Sequence, residues 1–205
     1  MSEPTPTPTK LFPCIVADPP WAYSAPGRFG KTLEHRPNRD KGESRHGAGS
    51  HARYGSMTMP ELLALDVKSV AADNAHLYLW TTNAFMVEAH ELAKSWGFRP
   101  TTILTWTKIR QSDGQPSMKM GYYFRGATEH CLFAVRGSLR LQGPAASTAI
   151  FARRLPHSQK PEEFYQLVEA QSPGPYLEMF ARRRRHGWAS WGNEVESDID
   201  IQSMK

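Results

Sequence analysis

The run from Phe12 to Ala17 is short and almost wholly apolar, and it stops at Asp18-Pro19-Pro20-Trp21. Proline has no N–H to give to a ladder and its φ is fixed, so a strand entering this stretch ends there. A short apolar run of this kind reads as a buried strand. Asp18 therefore emerges at a strand's carboxyl end.

Downstream, strand-like and helix-like segments alternate. Thr58, with Glu61 three residues on and Pro60 in the first turn, forms a capping-box pattern that predicts a helix through about Val70. His76 to Thr81 alternates outward and inward as a strand. Ala84 to Trp96 carries Phe85, Leu92 and Trp96 near helical spacing and meets Gly97 where a helix would end. Thr101 to Thr107, His130 to Val135 and Ala149 to Arg153 read as further strands, and Pro161 opens a helix to about Ala170. Tyr176 to Phe180 and Trp188 to Trp191 complete the set. Such alternation predicts an α/β sandwich with a mostly parallel sheet, whose ligand sites gather at the carboxyl ends of the strands.

With 205 residues, 40% of them hydrophobic, the chain holds one such domain, expected over residues 11–195. Residues 1–10, where Pro4, Pro6 and Pro8 alternate with threonine, read as a flexible tail, and residues 196–205 as another. Residues 22–56 are rich in Gly, Ser, Arg, Lys and His without periodicity, far longer than an ordinary connection; residues 27–53 form the basic part, expected to act as a lid. No apolar run approaches the ~20 residues of a membrane span, and the polar start is unlike a signal peptide, which points to a cytoplasmic protein without a membrane partner. Two cysteines, Cys14 and Cys131, are too few for a disulfide framework or a cysteine-rich zinc site, and no metal is expected.

The net charge of +5 favours a polyanionic partner, and its placement says more. Basic residues crowd into Arg28 to Arg53, Lys108 to Arg125, Arg153 with Arg154, and Arg182 to Arg185, mainly between the apolar runs. Where strand ends converge, these segments would ring one face and suit nucleic acid.

Asp18-Pro19-Pro20-Trp21 suits a particular chemistry. An exocyclic amino group on adenine is a poor nucleophile because its lone pair is delocalised into the ring. An aspartate oxygen and a neighbouring backbone carbonyl, each accepting one N–H, orient the nitrogen and localise that pair, and two prolines hold the carbonyl still. Trp21 would offer a face to an unstacked base. A methyl group on a sulfonium is already activated, so neither a metal nor a strong base is needed. Chance would produce such a motif roughly 0.002 times in a chain of this length at average residue usage, so it calls for a chemical account.

Together with this motif, Tyr54-Gly55-Ser56-Met57, Leu79-Trp80-Thr81, Trp96-Gly97-Phe98, Glu129-His130-Cys131-Leu132, His157-Ser158-Gln159-Lys160-Pro161, Glu178-Met179-Phe180-Ala181-Arg182 and Gly192-Asn193-Glu194 follow in order. From about Phe12 to Glu194 the chain resembles the messenger-RNA adenosine methyltransferases and their bacterial and phage DNA relatives. The resemblance implies a Rossmann-like methyltransferase sandwich with the catalytic motif early and the cofactor loop late. It implies S-adenosylmethionine as cofactor, with Asp18, Pro19, Pro20 and Trp21 catalytic.

It further implies that Asp18, Lys160, Glu178, Phe180, Arg182, Arg184, Asn193 and Glu194 surround the cofactor. Tyr54 and Lys160 match positions beside the target base, and Arg28, Lys31, Arg45, Arg53, Arg125 and Arg183 are the expected nucleic-acid contacts. The chain departs from the RNA enzymes at Arg183, Arg184 and Arg185, where those carry proline, histidine and asparagine. DNA is the expected substrate over RNA, since no RNA-binding domain is appended; a homodimer or a partner subunit is the expected assembly. A catalytically silent binding subunit is the competing class, opposed by the intact Asp18 to Trp21, Lys160 and Asn193.

Overall fold

In a computed structural model of the chain, residues 11–22, 55–118, 123–155 and 159–201 are described. The strands are β1 (Phe12–Ala17), β2 (Ala71–Thr81), β3 (Arg99–Ile109), β4 (Thr128–Arg136), β5 (Ala149–Arg153), β6 (Tyr176–Met179) and β7 (Trp188–Trp191). The helices are α1 (Met59–Leu63), α2 (Met86–Ser95) and α3 (Glu162–Gln171). One seven-stranded sheet has the order β5-β3-β4-β2-β1-β6-β7.

β1 lies between β2 and β6, parallel to both; β6 is parallel to β7 and β3 to β5. Among the described strands only β4 runs the other way, antiparallel to both β2 and β3. Six strands therefore end on one edge, the edge at which β4 begins. Pairing brings Ala17 beside Leu79 and Met179, Met179 beside Trp191, and Thr81 beside His130. Asp18, Phe180, Gly192 and Glu129 thus meet at that edge although the chain visits them far apart.

The sheet is covered on both faces, which is why β1 is apolar along its length. On one face Ile15, Leu77, Leu79 and Leu177 pack with Leu62 of α1 and with Ala89 and Leu92 of α2. On the other, Cys14, Val16, Tyr78 and Trp80 pack with Phe164, Tyr165 and Val168 of α3. The alternation expected over His76 to Thr81 is not present: every residue from Ala75 to Thr81 is buried, because β2 is central and layered on both sides.

Both backbone N–H and hydroxyl of Thr58 donate to the Glu61 carboxylate, at 2.7 and 2.8 Å, so the expected helix start is present. The helix nevertheless stops at Leu63 rather than near Val70. The chain turns there so that Leu65 and Val67 reach the core and the Val70 carbonyl accepts the Phe12 N–H at 2.8 Å, setting β2 beside β1. Gly97 closes α2 at φ +86, a conformation that favours glycine.

The tail expected over residues 196–205 needs correction as far as residue 201, and residues 202–205 lie outside the described residues. The Asp198 carboxylate accepts the Ser190 N–H at 2.8 Å, and Ile201 is buried in the core, so residues 196–201 fold back onto β7. No helix among the described residues is long and apolar enough to cross a membrane.

Candidate active site

The turn after β1 is tied down from several directions. Asp18 N–H reaches the Met179 carbonyl at 3.5 Å, Trp21 N–H donates to Pro19 O at 2.9 Å, and Met57 N–H donates to Pro20 O at 2.9 Å. Ala22 N–H returns to Met57 O at 3.2 Å, so residues 22 and 57 are bridged beside the motif.

Trp21 does not present the open face expected of it. Its ring lies 5.3 Å from Phe85 at 13°, its indole N–H donates to Trp80 O at 3.1 Å, and only 7% of its surface is exposed. It braces the turn from within the core.

Asp18 Oδ2 accepts from Lys160 Nζ at 2.8 Å, and Lys160 Nζ stands 3.5 Å from Glu129 Oε2. Glu129 is also paired with Lys108, so four charges alternate in sign along the strand ends. Each lysine sits over an indole, Lys160 4.7 Å from the Trp80 ring centre and Lys108 4.5 Å from that of Trp106. Burial works to lower the pKa of Lys160, yet the carboxylates of Asp18 and Glu129 overcome it and hold the ammonium above the ordinary lysine range. Lys160 is therefore a fixed cation, placed by Pro161 at the start of α3.

Asp18, Pro20, Gly55, Phe180, Arg182, Asn193 and Glu194 line a cleft of about 210 Å³. Phe180 takes φ +60, unusual for a residue with a side chain, and this turns its ring toward Trp191 at 5.3 Å. Ala181 N–H donates to Trp191 O at 2.9 Å. A Cβ on Gly192 would stand 2.7 Å from Ala181 N and 3.0 Å from Phe180 C, so only glycine lets these two turns touch. Arg182 Nε lies 3.6 Å from Glu194 Oε1 across the cleft.

Glu178 lies one step back, accepting from the Tyr165 hydroxyl at 2.7 Å. Burial pushes its pKa up, and the negative charge of Asp18 adds to the rise.

Arg184 sits away from the cleft lining. It pairs with Asp198 and donates to Glu196 O at 3.2 Å, so it fastens the segment after β7. Arg183 is exposed and Arg125 is exposed in the β3–β4 loop. Arg28, Lys31, Arg45, Arg53 and Tyr54 lie outside the described residues.

Sequence reasoning gave no site role to Glu129, Lys108 or Tyr165, although Glu129 stands in one of the motifs that carry the resemblance and Lys108 in a basic segment. Glu129 and Lys108 had a signal, a charge at the end of an otherwise apolar strand, where it must find a partner. Tyr165 had none, because a helix tyrosine is an ordinary core residue.

The family model described as MT-A70 matches residues 12–194. Over 202 residues the chain is 29% identical to "Type II methyltransferase M.MunI" of Mycoplasma sp, covering 96% of this chain and 84% of that protein. It is 28% identical over 148 residues to the human "N(6)-adenosine-methyltransferase catalytic subunit METTL3", covering 70% of this chain and 25% of that one. An Arabidopsis thaliana "N(6)-adenosine-methyltransferase MT-A70-like" is 30% identical over 146 residues, 69% of this chain and 21% of its own length. With a family match that runs from the first strand to Glu194, and relatives named as methyltransferases, the chain belongs to the MT-A70 family.

Proposed function

We propose that this chain is an S-adenosylmethionine-dependent methyltransferase acting on the exocyclic amino group of adenine in DNA. The observation that carries the reading is the position of Asp18, which lines the cleft with Phe180, Asn193 and Glu194 while Lys160 holds one of its oxygens at 2.8 Å.

The donor set of the cleft suits the cofactor. Asp18 offers a carboxylate to a cationic amine, Asn193 and Glu194 offer amide and carboxylate groups to hydroxyls and ring nitrogens, and Phe180 offers an apolar ring. When bound there, S-adenosylmethionine supplies an activated methyl group. Glu178, held in place by Tyr165, supports the strand that leads into this pocket. Arg182 closes one side of the cleft through Glu194.

Toward the target base, Asp18 Oδ1 accepts one amino N–H while Lys160 fixes Oδ2. The Pro19 carbonyl has a second lone pair beyond the one that takes Trp21 N–H, and it accepts the other amino hydrogen. Both contacts strengthen as charge develops on the nitrogen, which is where stabilisation accelerates the step. The fixed Lys160 ammonium holds Asp18 in orientation through its contact with Oδ2.

DNA is favoured because the similarity to the type II methyltransferase extends through nearly the whole of both chains, whereas the adenosine methyltransferases match over about a quarter of their length or less. The test uses the purified chain, labelled cofactor, and DNA or RNA as separate substrates, followed by digestion to nucleosides and mass analysis. N6-methyladenine in deoxynucleosides supports the reading. Label only in ribonucleosides reassigns the substrate, and label in neither refutes catalysis by this chain alone.

A further inference from the structure

The loop between β3 and β4, at the sheet edge that carries Asp18, bears exposed apolar side chains. Phe124 is 93% exposed and Tyr123 85%, with Met118 at 57% in the same loop. A phenylalanine ring left open to water on a loop that carries further exposed apolar surface marks a binding site rather than an idle surface.

Their placement follows from the sheet. The loop leaves β3 and returns to β4, both at the edge that carries Asp18. Its base is hydrogen-bonded: Lys108 N–H donates to Ala127 O at 2.8 Å, Ser117 N–H to Lys108 O at 2.6 Å, and Arg110 N–H to Gln115 O at 2.9 Å. Phe124 precedes Ala127 by three residues, a span of roughly 10 Å at most when extended. From that base the contacts run through Lys108 and Glu129 to Lys160 and Asp18.

The chemistry proposed above creates a need at this place. An adenine that reaches Asp18 must leave its stack, and the base beside it loses a neighbour. Trp21 cannot fill the gap, because its ring is stacked on Phe85 in the core, and Trp80 and Trp106 are buried beneath lysines. Basic residues belong to the same edge: Arg125 follows Phe124 directly, and Arg153 and Arg154 stand at the end of β5, which pairs with the end of β3.

We propose that Phe124, with Tyr123 beside it, is the platform on which the base flanking the target adenine stacks, while Arg125 contacts the adjoining phosphate. This rests on the assignment of the chain as a DNA adenine methyltransferase. Stacking accepts any base, so the platform contributes affinity and extrusion rather than choice of sequence.

The experiment compares the parent with Phe124→Ala, Phe124→Leu and Phe124→Trp on a duplex carrying the adenine context found methylated by product mapping, with 2-aminopurine at the flanking position. Phe124→Ala should raise KM for DNA on the order of tenfold and brighten the flanking probe. Phe124→Trp should restore both, Phe124→Leu neither, and calorimetry with the demethylated cofactor should give the same affinity throughout. Parental KM and fluorescence in Phe124→Ala, or rescue by Phe124→Leu, overturns the platform. So does a parent dimer in sedimentation that dissociates on Phe124→Ala while KM for DNA stays put, because the ring then contacts protein. A parent that methylates neither DNA nor RNA overturns the functional reading and this one with it.

Discussion

Asp18 and Trp21 belong to one turn, yet their substitution should separate chemistry from stability. Asp18→Ala removes the acceptor for the amino group, so methylation should fall by at least about 100-fold in single-turnover assays. Lys160 keeps Glu129 as a partner, so circular dichroism should show the fold retained. Trp21→Ala, by contrast, empties a core site against Phe85 and leaves the Trp80 carbonyl short of a donor. A loss of about 3–5 kcal/mol in denaturant unfolding is expected. Glu178 gives a pH signature. Its pKa is raised by burial first and by Asp18 second, so its ionisation opposes folding. The contribution of the neutral carboxyl is whole below the ordinary glutamate pKa and is lost as pH rises through the raised value. Glu178→Gln does not titrate, so its melting temperature relative to the parent should climb as pH rises above the ordinary glutamate pKa; a constant difference would contradict the assignment. The motif announced Asp18 by residue type and by its place after an apolar strand. It carried no information on where the Trp21 ring points, because Phe85 and Trp80, far along the chain, decide that.

Elements meet at the cleft through backbone contacts that side-chain patterns do not disclose. The turn after β6 and the turn after β7 touch at Gly192, where any Cβ collides with the Phe180–Ala181 peptide. Gly192→Ala should therefore destabilise the fold by about 1–3 kcal/mol, the range for overpacking. It should also weaken cofactor binding in calorimetry, because Phe180, Asn193 and Glu194 line the cleft on either side of that contact. Unchanged binding in a folded variant would show that the cofactor does not use this side of the cleft. Strand positions were legible because apolar runs are bounded by Pro, Gly and charge; Ala149–Arg153 and Trp188–Trp191 stand at their expected bounds. The end of α1 was not, since the demand that Val70 reach Phe12 comes from the sheet and not from the helix. The segment after residue 195 reads as a tail on its polarity alone, whereas Asp198 uses that polarity to bond Ser190 and Arg184.

At the scale of the molecule, the parallel sheet followed from alternating segments, but the reversal of β4 did not, although a clue was present. Parallel neighbours need a crossover, and the β3–β4 connection carries no helix among its described residues, which leaves the antiparallel pairing. That reversal carries Glu129 to the edge at which Asp18 stands. The described edge carries Arg125, Arg153 and Arg154, while Arg28, Lys31, Arg45 and Arg53, expected from the sequence to contact nucleic acid, lie outside the described residues. Every cation withdrawn from a phosphate should flatten the dependence of log affinity on log salt by about 0.9 on duplex DNA. Neutralising Arg28, Lys31, Arg45 and Arg53 together should flatten that slope, by up to about 4 if all four touch phosphate. It should weaken binding uniformly across sequences and leave cofactor affinity unchanged. Neutralising Arg125, Arg153 and Arg154 is the companion measurement. A parental slope in the quadruple variant beside a flattened one in the triple variant would assign the guiding charge to the sheet edge and remove the 27–53 segment from DNA binding.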